Sequence, residues 1–178
     1  MRCPVNAYKN LLLENVKYKT DKTRHGVWRR FAYPNGDLFE EFKSHGTFMG
    51  FPLIHYTRGK CPETGKRIVA KGIIAVGRFA VGGLAIGHAS AGLISIGQLA
   101  IGLIFGLGQA STGLYAIGQL ALAYTFGIGQ FVTGYTAIGQ FAFGKYVLAQ
   151  IGFGEFVWDM KHAAPEARAY FLSLLKLH

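Results

Sequence analysis

Apolar residues recur with a period of five through the middle of the chain. From Gly72 onward, most pentads begin with glycine, continue with glutamine or an apolar residue, and then have leucine, phenylalanine or isoleucine, as in GIIAV, GQLAI and GQFAF. Two six-residue steps, 102–107 and 123–128, interrupt this period. Five residues carry a helix about 140° past a full turn, so glycines at this spacing would not share one helical face. The β-branched and aromatic residues between them favour strands instead.

The two six-residue steps begin 21 residues apart, which equals three pentads of five residues and one of six. This spacing predicts a four-sided coil with one pentad on each side, repeated about 4.5 times over residues 67–158. Residues that follow the glycines then form columns, and opposite sides match while adjacent sides differ. The polar columns are candidate ladders, with His88, Gln109, Gln130 and Gln150 on one side and Gln98, Gln119 and Gln140 on the opposite side.

The other two columns of this predicted coil are apolar and face outward. One contains Leu93, Leu114 and Tyr135, and the opposite one contains Leu103 and Tyr124. A monomer in water rarely keeps a continuous apolar surface of this kind exposed. These five residues are therefore candidate interface residues.

The period resembles that of the pentapeptide-repeat β-solenoids, in which each five-residue unit forms one side of a square coil. That resemblance implies that the small residue and the large apolar residue two positions later both point inward. It covers residues 67–158 and lies in the period, because the family's unit is Ala, Asp or Asn, then Leu, whereas this unit begins with glycine. The AIG-type pentads behind a YPNG-containing head also resemble uncharacterised bacterial proteins. The large inward residues would be Phe79, Leu84, Ile94, Leu99, Leu120, Phe131 and Phe141.

The segments that flank the repeat have other patterns. Residues 7–16 have the pattern of a short helix, and the Asn35–Gly36 pair predicts a hairpin with a two-residue loop that would pair Arg30 with Glu41. We expect residues 1–66 to form a basic head that caps the repeat, and residues 159–178 to form a tail with a capping helix that begins at Pro165. The predicted fold class is thus all-β, with helix confined to the two ends.

Charge is distributed unevenly along the chain. Residues 1–78 contain 15 Lys and Arg against 6 Asp and Glu, whereas residues 79–144 contain no charged residue at all. Sixty-six uncharged residues could also hold three membrane-spanning helices, which is the alternative to the coil. The first twenty residues lack the pattern of a secretory signal, so we expect a cytoplasmic protein, with the inner face of a membrane as a further location.

Candidate catalytic groups are sparse. The six histidines show no HxxxH or HExxH spacing, Cys3 and Cys61 lie far apart, and no GxSxG or Walker pattern occurs. For Glu40 and Glu41, cross-strand ion pairing is favoured over acid–base chemistry. We therefore expect no enzymatic activity, no cofactor and no metal.

Two functions remain open from the sequence. The first is a structural or scaffold subunit whose apolar flanks are buried in a homo-oligomer, a filament or a larger complex. The second is a membrane-embedded or membrane-surface protein whose basic head faces the cytoplasm and anionic lipid. Nucleic acid is a weak candidate partner, because the repeat is uncharged and the basic residues of the head alternate with acidic ones.

Overall fold

The computed structural model describes residues 16–175, which are mostly β-strand with one helix near the C-terminus. The predicted helix at 7–16 therefore lies almost entirely outside the described residues. The chain divides into two compact units, Met1–Ser90 and Ala91–His178. Eight strands precede the helix: β1 Lys19–Lys22, β2 Gly26–Ala32, β3 Leu38–Ser44, β4 Thr47–Phe48, β5 Phe51–Pro52, β6 Ile54–Arg58, β7 Ala70–Val76 and β8 Phe79–Trp158, which begins in the first unit and continues through the second.

The first unit is built on one sheet with the strand order β1-β2-β3-β6-β7-β8, while β4 and β5 form a separate two-stranded sheet. The strands β1, β2, β3 and β6 pair antiparallel, and β6, β7 and β8 pair parallel. Of these strands, β7 and β8 belong to the glycine repeat and β6 to the head. The head therefore joins the repeat by adding β6 to the free edge of β7.

The predicted hairpin is present, but its register differs from the prediction by one residue. Ala32 pairs with Leu38, so residues 33–37 form a five-residue loop rather than a two-residue one. Gly36 has a φ of 85° and its N–H donates to the carbonyl of Tyr33. Pro34 fixes the start of this turn, and the longer loop moves the register so that Arg30 faces Glu40, not Glu41.

Neighbouring strands of the repeat are ten residues apart. Gly72 of β7 pairs with Gly82 of β8, and Ala75 pairs with Ala85. In the second unit, a Cβ added to Gly118 would overlap the carbonyl oxygen of Gly108, and the same relation holds between Gly139 and Gly129. A four-sided coil needs an offset of 20 or 21 residues. The ten-residue offset between paired strands contradicts the prediction of four sides and 4.5 coils, and we call each such ten-residue stretch of backbone a layer.

The glycines are required by this close layering. In each of the examples above, the direction of the missing Cβ leads into the backbone of the layer before. Glycine in a strand costs about 0.5–1 kcal/mol relative to alanine. A side chain that overlapped backbone atoms would cost more, because the layers would have to separate and lose their hydrogen bonds.

The core of the repeat consists of small residues in the fourth position of the pentad. Two clusters of buried residues, one in each unit, consist mainly of alanine: Ala70, Ala75, Ala80 and Ala85, and then Ala116, Ala121, Val132, Ala137, Ala142 and Val147. Ser95 and Ser111 occupy the same position and are also buried. In the two six-residue steps, Gly106 and Gly127 are buried. These buried positions thus carry small side chains or none.

The large apolar residues in the third position do not point inward, contrary to the prediction. Phe79, Ile94, Leu99, Leu120 and Phe131 are 41–53% exposed, and Leu84 and Phe141 are half-buried. The physical reason is that the buried positions are closely packed and carry alanine, serine or valine, which leaves no volume for leucine or phenylalanine.

The C-terminal helix α1, Pro165–Leu175, begins at the predicted proline. It buries Ala167 and Phe171. The segment before it turns back on the end of β8, where Trp158 forms an antiparallel bridge with Ala163 and the N–H of Ala164 donates to Val157. This segment occupies part of the exposed edge of the last layer.

Candidate functional site

The five predicted interface residues are all exposed on the second unit. Their exposed fractions run from 40% for Leu114 to 78% for Tyr124. They do not lie on two opposite sides, however. Where a six-residue step intervenes the offset is eleven residues, which places Gly113 against the backbone of Gly102, and Gly134 against Ala123. The residues that follow these positions therefore belong to one column: Leu93, Leu103, Leu114, Tyr124 and Tyr135.

A second set of apolar residues lies beside this column, because the third position of the same pentads is also exposed. Ile94, Ile104 and Tyr115 are 41%, 45% and 48% exposed. Sequence reasoning assigned this position to the interior and so missed half of the surface. We define the apolar face as Leu93, Ile94, Leu103, Ile104, Leu114, Tyr115 and Tyr124.

The glutamines form one column rather than two. A Cβ on Gly108 would overlap Gly97, and the series continues through Gly118, Gly129 and Gly139. The residues after these glycines are exposed and lie in successive layers, on the pentads that alternate with those of the apolar face. We call them the glutamine column: Gln98, Gln109, Gln119, Gln130 and Gln140, with Gln150 next in sequence. In the first unit, Arg78 and His88 occupy the same pentad position and are exposed.

Helix α1 covers the apolar side of the repeat just beyond the apolar face. Tyr170 stacks on Tyr146 with ring centroids 4.1 Å apart, and the Tyr170 and Thr136 hydroxyls lie 2.7 Å apart. Thr136 occupies the same pentad position as Ile94 but is only 2% exposed. The apolar face is thus the part of this side that α1 leaves uncovered.

A buried charged cluster lies in the head. Glu41 is 1% exposed, and its Oε2 accepts a hydrogen bond from Arg29 directly opposite on β2. Its Oε1 lies 3.0 Å from Nζ of Lys43 and 3.1 Å from Nε2 of His55. The N–H of Lys71 donates to Nδ1 of His55 at 2.8 Å, which orients Nε2 of the same ring toward Glu41. Sequence reasoning singled out Glu41 for ion pairing but gave no sign of His55, which lies in a strand whose partner was unknown.

The electrostatics of this cluster favour a structural role. Burial by itself would raise the pKa of Glu41, but the hydrogen bonds from His55, Arg29 and Lys43 outweigh it and lower the pKa from 4.5 to about 2. A general acid or base works best when its pKa lies near the working pH. Glu41 is held as a carboxylate and joins β2, β3 and β6.

Glu40 also forms an ion pair, although its partner is not the residue that the predicted register placed opposite it. Arg30 pairs with Glu40 across the hairpin at 3.4 Å and with Asp21 at 3.0 Å. These side chains are partly exposed, so this pair stabilises the hairpin by at most about 1 kcal/mol. The interpretation of the acidic residues as cross-strand ion pairs is confirmed.

Metal-ligating groups do not converge in residues 16–175, where no three His, Cys, Asp or Glu side chains are close enough to hold an ion. The Cys61 thiol is buried against Phe39, and the Tyr18 hydroxyl lies 3.9 Å from its Sγ. In the same described part of the chain, no helix is long and apolar enough to cross a membrane.

Comparisons of the chain with protein-family models, curated proteins and solved structures found no match. The resemblance to pentapeptide-repeat solenoids therefore stays a prediction, and the function has to be argued from the surface itself.

Proposed function

We propose that the pentads of residues 67–158 form a two-sided β-solenoid, with one turn for every two pentads, and that the protein is a non-enzymatic structural subunit. In this proposal, the apolar face is buried in a homo-oligomer or a larger complex in the cytoplasm. The observation that carries the proposal is the inverted size pattern of the repeat, which has alanine inside and leucine, isoleucine and tyrosine outside.

Because of the inverted pattern, an isolated subunit leaves its large apolar side chains in contact with water, which is unfavourable. Burial of a methyl-sized group contributes about 0.8 kcal/mol, whereas burial of a whole leucine side chain contributes about 1.5–3 kcal/mol. Burial of the alanine core therefore provides only a small part of the stabilisation that burial of all the apolar side chains could provide. Most of it becomes available only when the outer surface is covered.

The absence of charge on the repeat limits which kinds of partner can bind the apolar face. Residues 91–144 contain no Asp, Glu, Lys or Arg, so the apolar face offers no charge to a nucleic acid or an acidic peptide. The apolar face is complementary to another uncharged apolar surface, and a second copy of the chain or an assembly partner can provide one.

Analytical ultracentrifugation of the full chain without detergent tests this proposal. We expect the wild-type protein to sediment as a defined assembly, and the variant with Leu103→Lys and Tyr124→Lys to sediment as a smaller species with an unchanged β-type circular dichroism spectrum. The matched control is Gln109→Lys with Gln130→Lys, which introduces the same charge two layers apart in the glutamine column. We expect this control to keep the wild-type sedimentation.

A membrane location is the second candidate function, and the net charge of +9 on residues 1–78 supports it. The same proteins distinguish the two. Protein that stays in solution only with detergent and floats with anionic vesicles would contradict the scaffold proposal and support the membrane one.

A further inference from the structure

We infer that the apolar face binds a second copy of this chain, and that the two copies lie antiparallel and face to face. The inference rests on the proposed function and adds the surface, the partner and the orientation. Three observations carry it: the exposed area of the face, the absence of charge on it and the position of α1.

The exposed area of the apolar face fits a dimer contact. Its seven side chains are between 40% and 78% exposed. If a large apolar side chain offers roughly 180 Å² in full, the face offers about 600–700 Å² per copy. Stable specific interfaces bury about 800 Å² per partner, which the rim around the face can complete.

The shape and chemistry of the face suit its own copy. Its residues stand in two columns on successive layers of the repeat, so the surface is regular and lacks a pocket-filling side chain. Sheets that pack face to face lie about 10 Å apart with their side chains interdigitated. A two-fold contact also places each leucine column against the other, so every apolar residue meets an apolar one.

Helix α1 determines the orientation. It stands on the same side of the repeat, over Thr136 and Tyr146, and a helix is about 10 Å thick with its side chains. In a parallel pair the two helices would lie opposite each other and hold the faces about 20 Å apart. In an antiparallel pair each helix lies beyond the contact at a different end, and the faces can close to sheet-packing distance.

The antiparallel arrangement pairs unlike layers. Leu93 and Tyr124 mark the two ends of the apolar face, three layers apart, and Leu103 and Leu114 lie between them. With the two-fold axis between Leu103 and Leu114, Leu93 of one copy faces Tyr124 of the other. In a parallel pair, each of these residues would face its own equivalent.

Disulfide crosslinking of mixed full-length chains tests the inference. Leu93→Cys and Tyr124→Cys are made singly in a Cys3→Ser background, since Cys61 is fully buried. One variant is isotope-labelled, the two are mixed, and oxidised products are identified by mass spectrometry. We expect crosslinks between Leu93→Cys and Tyr124→Cys, and no crosslinks between identical positions. Gln109→Cys, in the glutamine column, is the control that should form none.

The other outcomes overturn the inference in distinguishable ways. Crosslinks between identical positions would show a parallel pair, which contradicts the orientation and leaves self-association in place. Crosslinks of Gln109→Cys alone, in a protein that still sediments as an oligomer, would move the interface to the other face. A protein that sediments as a monomer in the same buffer would overturn the proposed function as well.

Discussion

The ring of Phe131 lies parallel to the ring of Phe141, with centroids 4.9 Å apart and planes 7° apart. These residues are ten positions apart in sequence, and their separation matches the spacing of hydrogen-bonded strands. Phe143 and Phe153 repeat the arrangement, again at 4.9 Å. The outer aromatic side chains therefore stack layer on layer with the ten-residue offset of the backbone.

The ten-residue layer predicts which cysteine pairs can form a disulfide. Cα atoms must lie about 4.4–6.8 Å apart, which adjacent layers satisfy and next-but-one layers do not. We expect Gln109→Cys with Gln119→Cys to form an intramolecular disulfide on oxidation, and Gln109→Cys with Gln130→Cys to stay reduced. Thiol titration and intact mass measure both. A four-sided coil would give the reverse result, because its adjacent layers are 21 residues apart.

Two neighbouring residues should respond oppositely to substitution, since Ala121 is fully buried and Leu120 is 43% exposed. We expect Ala121→Leu to overpack the narrow interior, which costs about 1–3 kcal/mol, and to lower the melting temperature. Leu120→Asp places a charge in solvent and should leave the melting temperature nearly unchanged. A large loss of stability from Leu120→Asp would mean that the third position of the pentad points inward after all.

The glycine positions should not accept a side chain. A Cβ at position 118 would overlap the carbonyl oxygen of Gly108 and lie 3.0 Å from the hydroxyl of Ser111. We expect Gly118→Val to prevent folding or to lower the melting temperature severely. Ala149→Gly, in the same pentad position two pentads beyond Gly139, should cost at most about 1 kcal/mol. Equal thermal melts for wild type and Gly118→Val would contradict the close layering.

The buried charged cluster predicts a contrast between adjacent glutamates. Glu41→Gln leaves Arg29 buried without its counter-ion, and removal of one partner from a buried pair costs about 3–5 kcal/mol. Glu40→Gln breaks a partly exposed pair with Arg30 and should cost at most about 1 kcal/mol. Chemical denaturation of both variants measures the difference. Similar losses for the two would show that burial of Glu41 adds nothing.

The same carboxylate predicts how stability depends on pH. The folded state lowers the pKa of Glu41 from 4.5 to about 2, so its contribution is complete above pH 4.5 and is lost as the pH falls toward 2. We expect the melting temperature of the wild type to fall through this range and that of Glu41→Gln to fall less. If the two acid profiles stay parallel, Glu41 is not the titrating group.

The period of five, the strands and the helix at Pro165 could be predicted from the sequence, because each depends on local spacing. The number of sides of the coil was harder to predict from the sequence. The glutamines at 98, 109, 119, 130, 140 and 150 already recur at ten or eleven residues. The 21-residue spacing of the six-residue steps favours a four-sided coil, which divides these glutamines between two opposite columns. Two ten-residue layers and one extra residue explain the same spacing equally well.

The inside and outside of the pentad were misassigned for a physical reason. A large apolar residue in most units predicts a core, and this expectation holds where a coil has room for it. The buried positions of this repeat accept alanine, serine or valine, and most of its leucines are exposed. The fourth position of the pentad, which is almost always alanine, serine or valine, was the signal in the sequence. The partner of His55 was beyond sequence reasoning, since it depends on how β6 joins β3 and β7.

The segment that turns back at the end of β8 limits how the protein can grow. Layered strands at a 4.8 Å spacing are also the geometry of amyloid, in which an open edge templates the next molecule. In this protein, β6 occupies the edge of β7. At the other end of β8, Ala163 and Ala164 occupy part of the edge at Val157 and Trp158. The turn between them is held by the Asp159 carboxylate, which accepts hydrogen bonds from the N–H groups of Lys161 and His162. Because each of these edges is partly occupied by the same chain, we expect a preformed particle to seed little further growth at either of them.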